Sequence, residues 1–143
     1  MPIRYLTASL VIVSLVACGY GPVATDRYET LDQARASDLF GRGWLPDVLP
    51  PSSHDILVSN NLDLNISNGE FFFDEADFKF LQSRLAAYSE PPNPFEHLTQ
   101  DVRKHLQRGL PALQYQDEQS IWVFTCEPRK GRCEYVMWLV RKH

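Results

Sequence analysis

Apolar residues recur along the chain in two rhythms, one with a period near 3.6 and one with a period of 2, and these mark out helices and strands. Thr30 stands where a helix N-cap belongs, and Gln33 follows three residues later as in a capping box. A short helix is expected over 31–40, with Leu31, Ala34 and Leu39 on its apolar face and a stop near Gly41 or Gly43. Phe78, Leu81, Leu85 and Tyr88 fall at helical spacing after Asp74, a candidate cap, and Pro91 and Pro92 end that stretch. Phe95, Leu98, Val102 and Leu106 form a third helical stripe starting near Pro94 and closed by Gly109 and Pro111.

Between the first two helices the pattern changes. Pro46, Pro50 and Pro51 preclude a regular helix or central strand, and the apolar residues among them suggest a rigid segment lying on the core. Ser52 or Ser53 is expected to cap a short turn through Asp55 and Ile56. Leu62 and Leu64 alternate with Asp63 and Asn65, and Asn68-Gly69 is a turn signal, so a hairpin is expected across 62–73. Phe71 and Phe73 then share one face, with Phe72 on the other. Strand character returns at 113–116, 121–126 and 133–140. The pattern predicts a small single α+β domain: an antiparallel sheet with a C-terminal disulfide-linked hairpin, packed by two or three helices.

The hairpin follows from cysteine arithmetic. Of the three cysteines, Cys126 and Cys133 form an even pair between strand-like runs, with turn residues 128–131 between them. Six residues separate them, too many for a CxxC redox motif. If the two lie opposite each other, the period of 2 places Phe124 against Tyr135 and Trp122 against Met137 on their face. The other face pairs Val123 with Val136 and Ile121 with Trp138. Both faces are apolar, so cover is expected on each side.

The N-terminus has another logic. Arg4 precedes an apolar run from Leu6 to Ala17, about a dozen residues, against the roughly 20 that a spanning helix needs. Its length suits the h-region of a signal peptide. It ends in Leu15-Val16-Ala17-Cys18, which resembles the lipobox of bacterial lipoproteins. That resemblance implies cleavage before Cys18, fatty-acyl chains on Cys18, and the bilayer as a partner. Gly19 stands where the resemblance places an inner-membrane retention Asp, so an outer-membrane location facing the periplasm is implied ahead of the inner membrane. The expected organisation is a signal peptide over 1–17, a lipid-anchored tether over 18–29 and a periplasmic domain over 30–143. Export also permits the disulfide.

Charge and candidate chemistry narrow the function. Residues 18–100 carry 5 basic and 13 acidic side chains, whereas residues 101–143 carry 8 basic and 5 acidic ones. No long basic run is present, so nucleic acid is not an expected partner. His54, His97, His105 and His143 lack metal-ligand spacing, Ser52 and Ser53 lack a nucleophile-elbow context, and no phosphate loop appears. No cofactor, metal or enzymatic activity is expected. Acidic residues are numerous, and a carboxylate-dependent hydrolase stays open as one alternative. Trp44 reads either as a plug at the core edge or, with Arg42, as a candidate anchor for a protein or glycan partner. Tyr28, Arg42 to Pro46, Leu49 to Ser52, Asp55-Ile56 and Asp63 to Asn65, with Trp138 to Arg141, resemble a group of small bacterial lipoproteins. The resemblance implies no activity, and no functional residue transfers. The expected function is a noncatalytic envelope lipoprotein that binds or supports another envelope component. An immunity or inhibitor protein against a periplasmic toxin or hydrolase is the second alternative.

Overall fold

Strand pairing dominates the computed structural model, which describes residues 23–91 and 96–140. Seven antiparallel strands form one sheet: β1 (Val23–Thr30), β2 (His54–Asn61), β3 (Ile66–Phe72), β4 (Ala86–Ala87), β5 (Ala112–Gln116), β6 (Ser120–Glu127) and β7 (Arg132–Leu139). Their order across the sheet is β1-β2-β3-β7-β6-β5-β4. The helices are α1 (Leu31–Ala36), α2 (Phe78–Arg84) and α3 (Glu96–Gln107). The expected α+β domain with its disulfide-linked hairpin and three helices is the architecture present.

The larger core lies on one face of the sheet. Ile56 and Val58 of β2, Phe71 of β3, Tyr135 of β7 and Phe124 of β6 point into it and are buried. Leu31 and Ala34 of α1, Leu81 of α2, and Leu45, Leu49 and Pro50 of the proline segment cover them. The proline segment thus lies on the core, as its composition suggests. A second, smaller core on the other face joins Ile121, Val123 and Trp138 to Val102 of α3. The register of β6 and β7 pairs Cys126 with Cys133, Phe124 with Tyr135, Trp122 with Met137, Val123 with Val136 and Ile121 with Trp138, as the spacing predicts. Cover on both faces follows from the two cores.

Several boundaries depart from the sequence reading. The expected tether over 18–29 is strand from Val23 onward; residues 18–22 lie outside the described ones. β1 is an edge strand with β2 as its single neighbour, so none of its residues is fully buried and its pattern reads as polar. The helix expected over 31–40 stops at Ala36, where the Ser37 hydroxyl donates to the Ala34 carbonyl and Asp38 turns to φ +60°. Its start is as expected: Thr30 Oγ1 accepts from Gln33 N–H, and Gln33 Oε1 accepts from Glu29 N–H. His54, Asp55 and Ile56 open β2 instead of forming a turn.

The hairpin turn lies at residues 62–65, and Asn68-Gly69 is inside β3. Asn65 supplies the positive φ that the turn needs, at +50°. Gly69 is there for another reason: a Cβ on it would stand 1.9 Å from the Leu57 carbonyl oxygen. Phe71 and Phe73 do share the core face, with ring centroids 5.9 Å apart. Asp74 makes no side-chain cap; a 3₁₀ turn (Glu75–Asp77) precedes α2, and Ser52 Oγ accepts from Asp74 N–H while donating to Asp77 Oδ2 at 2.6 Å. α2 ends at Arg84, so Tyr88 lies beyond it against the second core. On α3, Thr99 and Val102 are buried while Leu106 is exposed. The expected start near Pro94 and Phe95 lies outside the described residues.

Candidate functional site

The cysteine pair is structural in its placement. Cys126 and Cys133 form a disulfide with Cα atoms 4.1 Å apart, and both are buried in the larger core. Neither is available as a nucleophile or redox dithiol at the surface. Cys18, the expected lipidation site, lies outside the described residues.

A concavity lies on the opposite face. α3 crosses β5, β6 and β7 but leaves β1, β2 and β3 uncovered, so a groove opens along its flank. Beside α3 it is a cavity of about 240 Å³ floored by Leu98, Val102, Val123 and Val136 and rimmed by Asp101, Lys104, His105, Arg108 and Glu134. Across β7 it continues as a shallower depression of about 310 Å³ over Leu57, Ser59, Asn68 and Glu70. An apolar floor inside a polar rim is the composition of a binding groove. His105 fixes the groove's wall: its Nε2 lies 3.1 Å from the Pro111 carbonyl and 3.0 Å from that of Cys126. With two carbonyls facing it, Nε2 carries the hydrogen and donates to both. The ring thereby fastens α3 to the disulfide end of the sheet.

Charge at the groove's other end is organised by one guanidinium. Arg132 donates to Glu70 Oε2 from Nε at 2.9 Å and from Nη2 at 2.7 Å, and to Glu134 Oε1 at 2.6 Å. Glu127 lies 3.6 Å from its Nη1 and also accepts from Lys130 at 2.6 Å. The Lys130 hydrogen bond holds the Glu127 carboxyl below its ordinary range, burial opposing and the nearby cations reinforcing. Glu70 and Glu134 face each other in the register of β3 and β7.

Arg42 and Trp44, the candidate partner-binding residues, are elsewhere. Arg42 is exposed, and its Nη2 donates to the Tyr28 hydroxyl at 3.3 Å. Trp44 is half-buried against the larger core, and its carbonyl accepts the indole N–H of Trp122 at 3.0 Å. These residues belong to the core side of the sheet, not to the groove. Two acids of the N-terminal half are ion-paired: Asp47 with Arg35 at 3.1 Å and Asp55 with Arg27 at 3.2 Å. His54 Nδ1 lies 3.1 Å from the Ser52 carbonyl. Among the described residues no cluster of three metal-ligating side chains forms.

The groove as an assembly was beyond sequence reasoning because α3, β2, β3 and β7 meet only through the sheet order. Parts of its floor carried a signal: the cysteine register pairs Val123 with Val136 and puts Glu134 on their face, and Leu98 and Val102 fall on one helical stripe.

The stretch from the start of β1 to the end of β3 is a unit in another sense. Residues 23–72 match a family model described as the YbbD head domain. The match spans about a third of the chain and takes in β1, α1, the proline segment, β2 and β3. The groove straddles its border, with Leu57, Asn68 and Glu70 inside the head-domain stretch and α3 and β7 outside it. No curated protein and no solved structure matches the chain.

Proposed function

We propose that the chain is a noncatalytic, lipid-anchored envelope lipoprotein that uses the groove beside α3 to hold another envelope component. The observation that carries the anchor is Leu15-Val16-Ala17-Cys18 closing the apolar run from Leu6. An exported disulfide is in keeping with that destination. Gly19 in place of an acidic residue supports the outer membrane, facing the periplasm. The same tetrapeptide and the Arg42 to Pro46 segment support kinship with the small bacterial lipoproteins that share them.

A binding role rests on the groove's chemistry. Its apolar floor offers buried area, its rim offers both signs of charge, and Glu70 and Glu134 are already paired with Arg132. Metabolic labelling with a fatty-acid analogue should tag the wild type and lose the tag in Cys18→Ser. An untagged, freely soluble wild type in its native host refutes the anchor. Cross-linking from the groove, with a photoreactive residue in place of Leu98, should capture one envelope component. Val136→Glu should abolish the capture. Equal capture by both proteins removes the groove from the reading. The acidic balance of residues 18–100 favours a second reading, inhibition of a basic periplasmic toxin or hydrolase. Identification of the captured partner separates the two.

A further inference from the structure

Exposed large apolar side chains are few, and they are not scattered. Among the described residues they are Val23, Leu62, Leu64, Leu106 and Leu139, at 57%, 49%, 52%, 40% and 43% exposure. Four of these five lie at one end of the sheet. Val23 begins β1 and pairs with Asn61, the last residue of β2. Leu62 and Leu64 occupy the turn that follows, and Asn61 pairs again with Ile66 at the start of β3. Leu139 ends β7, whose Met137 pairs with Ser67 of β3. The turn is built, not loose: Asn61 Oδ1 accepts from Leu64 N–H at 3.1 Å, and Asn65 holds a left-handed backbone.

The same end receives the chain from Cys18. Five residue steps separate Cys18 from Val23, at most about 17 Å of fully extended chain. Directly paired Cα atoms add about 5 Å, so Asn61, from which the turn starts, lies within about 22 Å of the lipidated residue. The polar layer of each leaflet is about 5–8 Å deep. A domain held this closely must present its β1-start end to the bilayer more often than any other. That end carries the apolar rim, whereas the opposite end carries Arg129, Lys130 and the Arg132 ion-pair cluster.

We infer that Val23, Leu62, Leu64 and Leu139 form a membrane-contact rim that seats the domain on the lipid surface and fixes its orientation. This rests on the lipid anchor proposed above. The rim lies in the headgroup layer: Asp63, exposed between the two leucines, keeps the turn from passing into hydrocarbon. Seating by this end stands the strands up from the bilayer, with the disulfide end outermost and the groove open sideways.

The chemistry supplies its own test. With Cys18 acylated and Cys126 bridged to Cys133, Leu64→Cys is the sole free thiol of the full lipidated chain. An environment-sensitive fluorophore is placed there, or on Arg129→Cys at the far end, and each protein is reconstituted into phosphatidylethanolamine–phosphatidylglycerol vesicles. Spin-labelled lipid should quench the probe at position 64 several-fold more than at 129, with a blue-shifted emission at 64 alone. Equal, water-like emission at both positions in protein that carries the fatty-acid label overturns the rim and leaves the anchor standing. Protein that takes no label overturns both. A blue-shifted probe that lipid does not quench assigns the rim to a protein contact and overturns the inference. Both positions are exposed turn sites, so neither substitution removes core packing.

Discussion

Gly69 offers the sharpest test of the packing. In an unstrained strand, Gly→Ala is stabilising by roughly 0.5–1 kcal/mol, because alanine loses less backbone freedom on folding. Here the sign should reverse. An alanine Cβ would stand 1.9 Å from the Leu57 carbonyl oxygen and 2.9 Å from Cε1 of Tyr135. Even close C–H···O contacts put carbon and oxygen about 3.3 Å apart, so something must give by more than an ångström. The obstacle is backbone, and β3 cannot slide away because β2 and β7 hold it on both sides. Overpacking of this kind costs about 1–3 kcal/mol. Displacing the Tyr135 ring also threatens its hydroxyl, which lies 3.0 Å from Ser67 Oγ, itself donating to Asn60 Oδ1 at 2.7 Å. Losing that bond adds about 1 kcal/mol. Net of the backbone gain, Gly69→Ala should destabilise by about 1–3.5 kcal/mol, or roughly 4–14 °C in melting temperature for a domain of this size. Urea denaturation followed by tryptophan fluorescence measures it. A midpoint equal to or above wild type would refute the close approach of β2 to β3.

Three further outcomes are expected. Cys126→Ala/Cys133→Ala should lose about 2–3 kcal/mol, the chain-entropy value for a loop this short, read as a lower urea midpoint. Glu127 is held below the ordinary carboxyl range, first by its Lys130 hydrogen bond, so its contribution is full above about pH 4.5 and fades as pH falls through the lowered value. Lys130→Met should therefore flatten the acid limb of the stability–pH curve, and an unchanged limb below pH 4.5 counts against the pairing. Burial pushes the Tyr135 hydroxyl well above its ordinary value, the Ser67 hydrogen bond opposing. Its contribution is full below about pH 10 and is lost as pH rises toward the raised value, so Tyr135→Phe should lose less stability between pH 9 and 11.5 than wild type.

The cysteine-linked hairpin was legible because two facts sufficed: one cross-strand pair sets the phase, and the period of 2 sets the rest. The capping box at Thr30 was legible because its geometry is local. The other misreadings share a cause in non-local structure. β1 reads as a polar tether because an edge strand with one neighbour needs little apolar surface. Asn68-Gly69 reads as a turn because the dipeptide tolerates positive φ, whereas Gly69 serves to let the Leu57 carbonyl approach. Tyr88 fits the helical stripe of α2, yet its N–H bonds to the Ala112 carbonyl at the edge of β5. The groove was illegible for the strongest reason. Its walls come from segments far apart in sequence, and Glu70, Glu134 and Arg132 become neighbours only when β3 pairs with β7.

The sheet order carries a consequence for how such a chain can be completed. Strands β1 to β3 form one run of neighbours and β4 to β6 another, and the seam between them is β7, which follows all six in the chain. Until β7 arrives, a chain emerging N-terminus first holds two half-sheets, each with a raw inner border and no mate. Disulfide closure waits for the same event, because Cys133 travels on the strand that joins the halves. A stop codon just ahead of Arg132 would therefore leave a molecule in two pieces on one thread, open to proteolysis, where loss of a peripheral strand would leave a smaller sheet.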